Sequence, residues 1–171
     1  MSHDRQVSIA ACWLGADGSH VEEVWAGPNS DDAMAWLIER AGRRVPVVID
    51  GMSPASSMVP ELKAARVKVV VTAAGDMSKA CGLWLDDVRV SRLTHGGQDD
   101  VDAALAAAKK RPIGTAGGWG WDRKEDTSNL APLVSITLAR YGASLTRRKA
   151  GTYSTAGGRT MRQRNPRSSS R

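Results

Sequence analysis

The stretch GGWGWDRKEDTSNLAPLVSITLARYG, residues Gly117 to Gly142, joins a short Trp-bearing segment to an amphipathic segment through a run of polar and acidic residues. In the amphipathic part, apolar residues recur at the spacing of one helix face: Leu130, Leu133, Val134, Leu138, Tyr141 and Leu145. Pro132 is compatible with the first turn of such a helix. The stretch therefore predicts a strand over Thr115 to Trp121 that delivers acidic side chains to the start of a final helix.

A second informative segment is VPVVIDG, residues 45–51. Its unbroken apolar run over Val45 to Ile49 is typical of a strand buried on both faces. A short helix over Pro54 to Arg66 and a further buried strand over Val67 to Thr72 follow, an order that favours parallel pairing. Open α/β sheets bind ligands at the carboxyl ends of their strands, which makes Asp50 the strongest candidate site residue.

The remaining patterns complete an α/β fold. Alternating segments around the turn Ala16-Asp-Gly-Ser predict an antiparallel hairpin, and three apolar-periodic segments predict helices. The predicted hairpin strands are Val7 to Leu14 and Val21 to Ala26, and the predicted helices are Ser30 or Asp31 to Arg43, Asp76 to Leu93, and Asp99 to Lys110. We expect a mixed sheet with an antiparallel N-terminal hairpin, flanked by helices on both faces.

Charge divides the chain into two parts. The 171 residues carry a formal charge of +6, but residues 146–171 hold eight Lys or Arg and no acidic residue, so residues 1–145 are near −2. The first part predicts one globular domain and the second a disordered tail with little to bury. Basic residues on such a tail favour DNA contact, although a solubilising end is the alternative. The candidates are Arg147, Arg148, Lys149, Arg159, Arg162 and Arg164.

Several classes of protein are disfavoured. Cys12 and Cys81 are far apart and belong to no metal-binding motif, which predicts buried thiols in a reducing compartment. No apolar run approaches the ~18 residues of a membrane span, and the N-terminus does not resemble a signal peptide. No phosphate-binding GxxxxGK[ST] motif is present, so ATP-driven translocation is not expected.

Three segments together resemble a known family. GGWGWDRKEDTSNLAPLVSITLARYG, VVIDG and the opening SHDRQVSIAACWLGADGSHVEEV are similar to the C-terminal nuclease domain of the large terminase subunit of tailed phages, over most of residues 2 to 145. The resemblance implies a fold like that of RNase H and RuvC resolvases. It also implies an endonuclease that cuts concatemeric double-stranded phage DNA in the cytoplasm of the bacterial host, with the terminase ATPase domain, the small subunit and the portal as partners.

The implied chemistry is two-metal phosphodiester hydrolysis with Mg²⁺ or Mn²⁺. Paired cations position the attacking water and stabilise the leaving oxygen, and hard cations prefer oxygen ligands. The candidate catalytic and metal-binding residues are Asp50, Asp122, Asp126, Asp4 and, as a metal ligand only, Asn129. Each aspartate has a simpler interpretation: a turn for Asp50, a surface ion pair with Arg123 for Asp122, a helix cap for Asp126, and a solvated terminal charge for Asp4.

Two departures from the family pattern limit the expected activity. Related sequences carry an Asp-x-Ser pattern on a first strand that would precede Met1 here, and Asn129 stands where an acidic residue is usual. The chain is then a fragment or split gene product, or Asp4 substitutes, or catalysis is weak and favoured by Mn²⁺. The alternative functions are a RuvC-like or RNase H-like nuclease and a catalytically weakened DNA-binding module.

Overall fold

The computed structural model describes residues 6–42, 44–122 and 129–146. Seven strands and five α-helices lie in these ranges, together with a 3-10 helix over Pro54–Met58. The strands are β1 (Val7–Leu14), β2 (Ser19–Gly27), β3 (Val47–Asp50), β4 (Val69–Thr72), β5 (Leu93–His95), β6 (Lys110–Ile113) and β7 (Gly118–Trp121). The helices are α1 (Ser30–Arg40), α2 (Val59–Ala64), α3 (Ala74–Arg89), α4 (Asp99–Ala106) and α5 (Ala131–Thr146).

The predicted hairpin is confirmed. Strands β1 and β2 pair antiparallel from Val7 opposite Gly27 to Leu14 opposite Ser19, with an irregularity between Ile9 and Ala10. Strand β5 extends this sheet by pairing parallel to β2. The sequence predicts helix as far as Leu93, but α3 ends at Arg89, and Ser91 adopts a positive φ of 54° that a helix does not accommodate.

The predicted parallel unit is also confirmed. Strands β3 and β4 pair parallel in a register that runs from Val47 opposite Val69 to Asp50 opposite Thr72. The helix expected over Pro54 to Arg66 is instead a 3-10 turn followed by the short α2. The chain leaves α2 through Arg66, whose φ of 65° ends the helical conformation.

A second hairpin replaces the predicted end of the fourth helix. Helix α4 stops at Ala106, and Lys110, the predicted end of this helix, is instead the first residue of strand β6, which pairs antiparallel with β7. Pro112 in β6 has no N–H for a helical hydrogen bond. The predicted strand from Thr115 begins only at Gly118 because Gly114 and Gly117, with φ of 67° and 78°, form the turn.

Two apolar cores lie on opposite sides of the strands. The first is built on α3, α4 and α5 and includes Trp84, Trp121, Leu133 and Ile136. The second lies between α1, α2 and the β3–β4 pair and is centred on the fully buried Leu62. A sheet layer with helices on both faces is therefore confirmed, although the described strands form three hydrogen-bonded sheets instead of one.

Local corrections concern helix α1 and one tryptophan. Asn29, and neither Ser30 nor Asp31, caps α1 by accepting the Asp31 N–H at 2.8 Å. The helix ends at Arg40, before the Arg43 that the sequence predicts. The place of Trp13 on a predicted strand favours a core position, but Trp13 is 50% exposed and lies beside the turn that joins β1 to β2. Among the described helices, none has the length and apolar character of a membrane span.

Candidate functional site

Asp50 lies where the sequence pattern predicts, at the carboxyl end of a parallel strand pair. It is the last residue of β3, it is 4% exposed, and it stands opposite the buried Thr72 of β4. The parallel register brings the carboxyl ends of both strands to one edge. This is the edge at which open α/β sheets hold ligands.

Hydrogen bonds fix the direction of the Asp50 carboxylate. Its Oδ1 accepts the Met52 N–H at 3.0 Å, and its main-chain oxygen accepts both the N–H and the hydroxyl of Ser53, at 3.0 and 2.8 Å. The turn expected as the simpler role of Asp50 is therefore present. A carboxylate offers about four acceptor positions, and the Met52 N–H occupies one of them.

Gly51 permits the close approach of the two strand ends. Its N–H donates to the Thr72 carbonyl at 3.0 Å, and a Cβ at this position would lie 2.6 Å from that oxygen and 2.9 Å from Val71 Cγ1. A side chain here would push β3 and β4 apart at the edge occupied by Asp50. The glycine that follows Asp50 thus allows the ends of β3 and β4 to remain hydrogen-bonded beside the Asp50 carboxylate.

Asn129 and Asp50 line the same groove. We call it the β1–β3 groove: it is lined by β1, by residues 45–50 and by one side of α5, and its volume is ≈ 1640 Å³. Asn129 is exposed just before α5, and its Oδ1 accepts the Ala131 N–H at 3.0 Å. Arg111 of β6 also lines the groove. The groove therefore offers an anionic ligand the guanidinium of Arg111, in addition to the side-chain oxygen atoms of Asp50 and Asn129.

Asp122 belongs to a different segment from Asp50 and Asn129. It follows β7 directly, is half-buried, and its N–H donates to the Lys109 carbonyl at 2.8 Å. It is not among the residues that line the β1–β3 groove. Its role as a ligand stays a prediction, as does the role of Asn129.

The other predicted site residues fall outside the described ranges. These residues are Asp4, Asp126, Arg147, Arg148, Lys149, Arg159, Arg162 and Arg164. Within residues 6–42, 44–122 and 129–146, no group of three or more His, Cys, Asp or Glu side chains is arranged to hold a metal ion. Of the predicted set, the two residues that line the β1–β3 groove in the described part of the chain are Asp50 and Asn129.

The oxygen atoms of Asp50 and Asn129 are of the type that hard cations prefer. Mg²⁺ commonly binds through one or two carboxylates, retains several waters, and takes the remaining oxygens from a substrate phosphate. In such a site Asp50 would supply the carboxylate, and the second lone pair of the Asn129 amide oxygen would supply a neutral ligand. A second cation requires further carboxylates.

Two side chains of the N-terminal hairpin, Cys12 and Glu23, have raised pKa values. Burial raises the pKa of the Cys12 thiol, which lines the β1–β3 groove, to about 11. This thiol is therefore protonated and unreactive at neutral pH. Of the two thiols predicted to be buried, Cys81 is buried and Cys12 is only half-buried. The pKa of Glu23 on β2 is also raised, chiefly by burial.

Sequence reasoning does not identify Ser53 or Thr72 as parts of the site. Both are buried, and they contact the main chain of Asp50 and Ile49 respectively, with Thr72 Oγ1 donating to the Ile49 carbonyl at 3.4 Å. The one sequence feature that could have indicated the role of Ser53 is its position three residues after Asp50, the residue that ends the predicted strand. Its hydroxyl supports the turn, whereas the sequence pattern indicates only the start of a helix there.

Comparisons with known proteins give a fold but no sequence family. No protein-family model matches the chain, and no curated protein is significantly similar to it. Three crystal structures of the large terminase nuclease from the thermophilic phage G20c do match. With bound cobalt the TM-score is 0.54, with 11% identity over 82% of each chain.

The other two matches agree closely with the first. The G20c nuclease with bound magnesium gives a TM-score of 0.52, with 11% identity and 82% coverage of each chain. A further crystal structure of the same nuclease gives a TM-score of 0.52, with 11% identity over 81% of this chain and 83% of that one. The predicted resemblance is confirmed in its fold: this chain has the architecture of a phage large-terminase nuclease.

Proposed function

We propose that this chain is a metal-dependent endonuclease domain that acts on double-stranded DNA during phage genome packaging. The observation that carries the proposal is the position of Asp50, at the carboxyl edge of the β3–β4 pair in a chain with the fold of the G20c terminase nuclease. Crystals of that nuclease hold cobalt or magnesium. A divalent cation at Asp50 is the corresponding proposal here.

The chain's own residues have distinct parts in this reaction. Asp50 and Asn129 bind the cation, and Asp122 and Asp126 are proposed to complete its surroundings, with Asp4 as a further carboxylate. The bound cation supplies Lewis-acid activation of a scissile phosphate and of the attacking water. Arg111, in the same groove, orients the phosphate by hydrogen bonding, since a guanidinium matches phosphate geometry.

The basic tail supplies affinity without sequence specificity. Its arginines neutralise DNA phosphates and release counterions, so the tail holds duplex DNA near Asp50 while the globular domain positions one phosphate. The terminase ATPase domain, the small subunit and the portal are the proposed partners in the bacterial cytoplasm. Cutting of concatemers is the proposed biological reaction.

The decisive variant is Asp50→Asn. Asn retains an Oδ1 that can accept the Met52 N–H, so the turn is preserved, but the charge that attracts a cation is lost. We expect cleavage of supercoiled plasmid in MnCl₂ or MgCl₂ to fall by more than ~100-fold, because Lewis-acid stabilisation is worth several kcal/mol. Mn²⁺ binding, followed by electron paramagnetic resonance, should weaken in parallel.

The matched control is Asp86→Asn, which changes an exposed aspartate of α3 outside the β1–β3 groove. It should cleave and bind Mn²⁺ as the unaltered chain does. Equal cleavage by Asp50→Asn and the unaltered chain would remove Asp50 from the mechanism. If the unaltered chain binds duplex DNA but never cuts it, the DNA-binding module is the correct function; preferential cutting of branched or hybrid substrates would favour the RuvC-like or RNase H-like alternative.

A further inference from the structure

Four exposed basic side chains lie at the amino ends of strands β3 and β4. Arg44 precedes β3, and Lys63, Arg66 and Lys68 lie between the last turn of α2 and the start of β4. The Val47 N–H donates to the Lys68 carbonyl at 2.8 Å and so holds the two strand entries together. We call Arg44, Lys63, Arg66 and Lys68 the strand-entry patch.

The strand-entry patch lies at the opposite end of the strand pair from Asp50. Strands β3 and β4 pair parallel, so their amino ends share one edge, and Asp50 and Thr72 share the other. At ~3.3 Å for each residue of a strand, the two edges are about 10 Å apart. Of the patch, Arg44 lines the β1–β3 groove and the three other members do not. Those three are therefore outside the candidate site.

Arg66 occupies a position at which glycine is usual. Helix α2 ends in a Schellman arrangement, in which the Val67 N–H donates to the Leu62 carbonyl and the Arg66 N–H to the Lys63 carbonyl, both at 2.9 Å. Arg66 has the φ of 65° that this arrangement requires. Glycine adopts that conformation without steric cost, so the chain carries the arginine at a cost in local stability. Such a residue points to a role for its side chain outside the helix end.

The positive charge of the patch is largely unmatched in the part of the chain that the structure describes. None of the ion pairs found there includes a member of the patch. Within residues 44–49 and 59–68, all of which are described, Glu61 is the single acidic residue. The patch therefore has a local excess of positive charge, which attracts an anionic partner.

The surroundings of the patch favour phosphates over a protein surface as this partner. In the same described residues, 44–49 and 59–68, Val45 is the only exposed large apolar side chain. Protein interfaces have apolar and aromatic centres and are depleted of lysine. Contacts to DNA phosphates come instead from Lys and Arg side chains and need no apolar centre.

We propose that the strand-entry patch is a second, non-catalytic binding surface for duplex DNA. Its side chains neutralise backbone phosphates without reading sequence. Duplex DNA is stiff over ~150 bp, so a short segment with a phosphate at Asp50 does not curve back to the other end of β3, and the patch holds a separate stretch of DNA. The proposal takes its ligand, duplex DNA, from the proposed function, but it depends neither on cleavage nor on a metal ion.

The first measurement is lysine acetylation of the full chain by sulfo-N-hydroxysuccinimide acetate, read by mass spectrometry with and without a short duplex. EDTA is present, so cleavage does not contribute. We expect DNA to slow the acetylation of Lys63 and Lys68 several-fold. Unchanged acetylation of both lysines at saturating DNA would overturn the proposal. Slowed acetylation in a chain that never cuts DNA with a metal ion would leave the patch in place and remove only the proposed nuclease activity.

The sharper variant is Arg66→Gly, because it should change two properties in opposite directions. Glycine accepts the φ of 65°, so the urea concentration at half-unfolding should rise. Loss of the guanidinium should weaken duplex binding, measured by fluorescence anisotropy, by roughly fivefold. Adding Lys68→Gln should flatten the plot of log affinity against log salt by ~1.8, or ~0.9 for each lost phosphate contact.

The matched control is the pair Arg89→Gln and Arg92→Gln, which removes the same formal charge at exposed positions beside β5, the far edge of the three-stranded sheet. This pair should leave the affinity within about twofold of the unaltered chain. Equal weakening by the patch and control pairs would overturn the proposal, since net charge alone would explain both. Loss of binding to labelled polyglutamate, with DNA affinity unchanged in the patch variants, would also overturn it and identify an acidic protein surface as the partner.

Discussion

The carboxyl of Glu23 on β2 is partly buried, and its ionisation destabilises the folded protein. Its main chain is well anchored, since its N–H donates to Gln98 Oε1 at 2.8 Å and its carbonyl accepts Gln98 Nε2–H at 2.9 Å. Burial raises the pKa of its carboxyl, a hydrogen bond from Ser8 lowers it, and the charge of Asp100 raises it further. Ionisation of Glu23 is therefore less favourable in the folded chain than in the unfolded chain.

Replacing Glu23 by Gln should stabilise the protein at neutral pH. Because the folded pKa lies above the unfolded value of 4.5, the folded state binds more protons between the two values, and stability is lost as the pH rises through the folded pKa. We expect Glu23→Gln to raise the free energy of unfolding at pH 7 by no more than about 1 kcal/mol, since the group is half-exposed.

Urea denaturation of both proteins at pH 7 and pH 4 measures this difference. The gain should shrink at pH 4, where Glu23 is largely protonated in both states. Glu61→Gln, at an exposed site of α2, serves as the control and should show no gain. A gain that stays constant with pH would show that the carboxyl charge is not its cause.

A buried ion pair joins α3 to α5. The Arg140 Nε and Nη2 both lie 2.6 Å from Asp87 Oδ2, and the two side chains are 13% and 6% exposed. Arg92 Nη2 approaches the other carboxylate oxygen at 3.7 Å. Since α5 also packs against β1, β2 and β3, this pair couples the helical layer to the strands that carry the site.

Asp87→Ala should destabilise the protein by about 3–5 kcal/mol because it leaves the Arg140 guanidinium buried without its carboxylate. The measurement is urea denaturation monitored by tryptophan fluorescence. Asp86→Ala, at the exposed neighbouring position, should cost less than ~0.5 kcal/mol. Comparable destabilisation in both variants would contradict a specific role for the ion pair.

Elements with a strong local pattern could be predicted from sequence, and elements without one could not. Helix α5 and strand β3 have unmistakable patterns, so the positions of Pro132 and Asp50 followed directly. Strands β5 and β6 lack such a pattern and follow helices, and the predicted helices ran into their first residues, Leu93 and Lys110. Their formation depends on partners remote in sequence, which single-segment patterns do not contain.

The candidate site was predictable in part for a related reason. The strand-ending position of Asp50 is a local property, but the groove that it shares with Asn129 is assembled from β1, β3 and α5. The sequence alone does not show whether Asn129 or Asp122 shares a groove with Asp50, because that depends on how α5 and β7 pack against β3. Spacing along the chain places Asp122 close to the last helix as well, whereas the structure puts Asn129 and not Asp122 in the groove.

The distribution of charge over the whole chain predicts how it holds DNA. Residues 147–171 contain eight of the 24 basic residues, so truncation after Thr146 changes the formal charge from +6 to −2. We expect the truncated chain to bind duplex DNA more weakly. Its plot of log affinity against log salt should flatten by ~0.9 for each DNA phosphate that the tail would otherwise neutralise.

Anisotropy titrations at several KCl concentrations measure this slope. A chain whose tail arginines and lysine are replaced by glutamine keeps the length but removes the charge, and it should behave like the truncated chain. An unchanged slope in either variant would exclude the tail from DNA binding and support the solubilising alternative.

Helix α5 packs on β1, and the hydroxyls of Ser8 and Ser135 lie 2.7 Å apart although 127 positions separate them in the chain. During synthesis, the opening hairpin must therefore leave the ribosome and wait for almost all the rest of the described chain before its covering helix emerges. Until then its apolar face is open to solvent, and a nascent chain in this state is a natural substrate for chaperones.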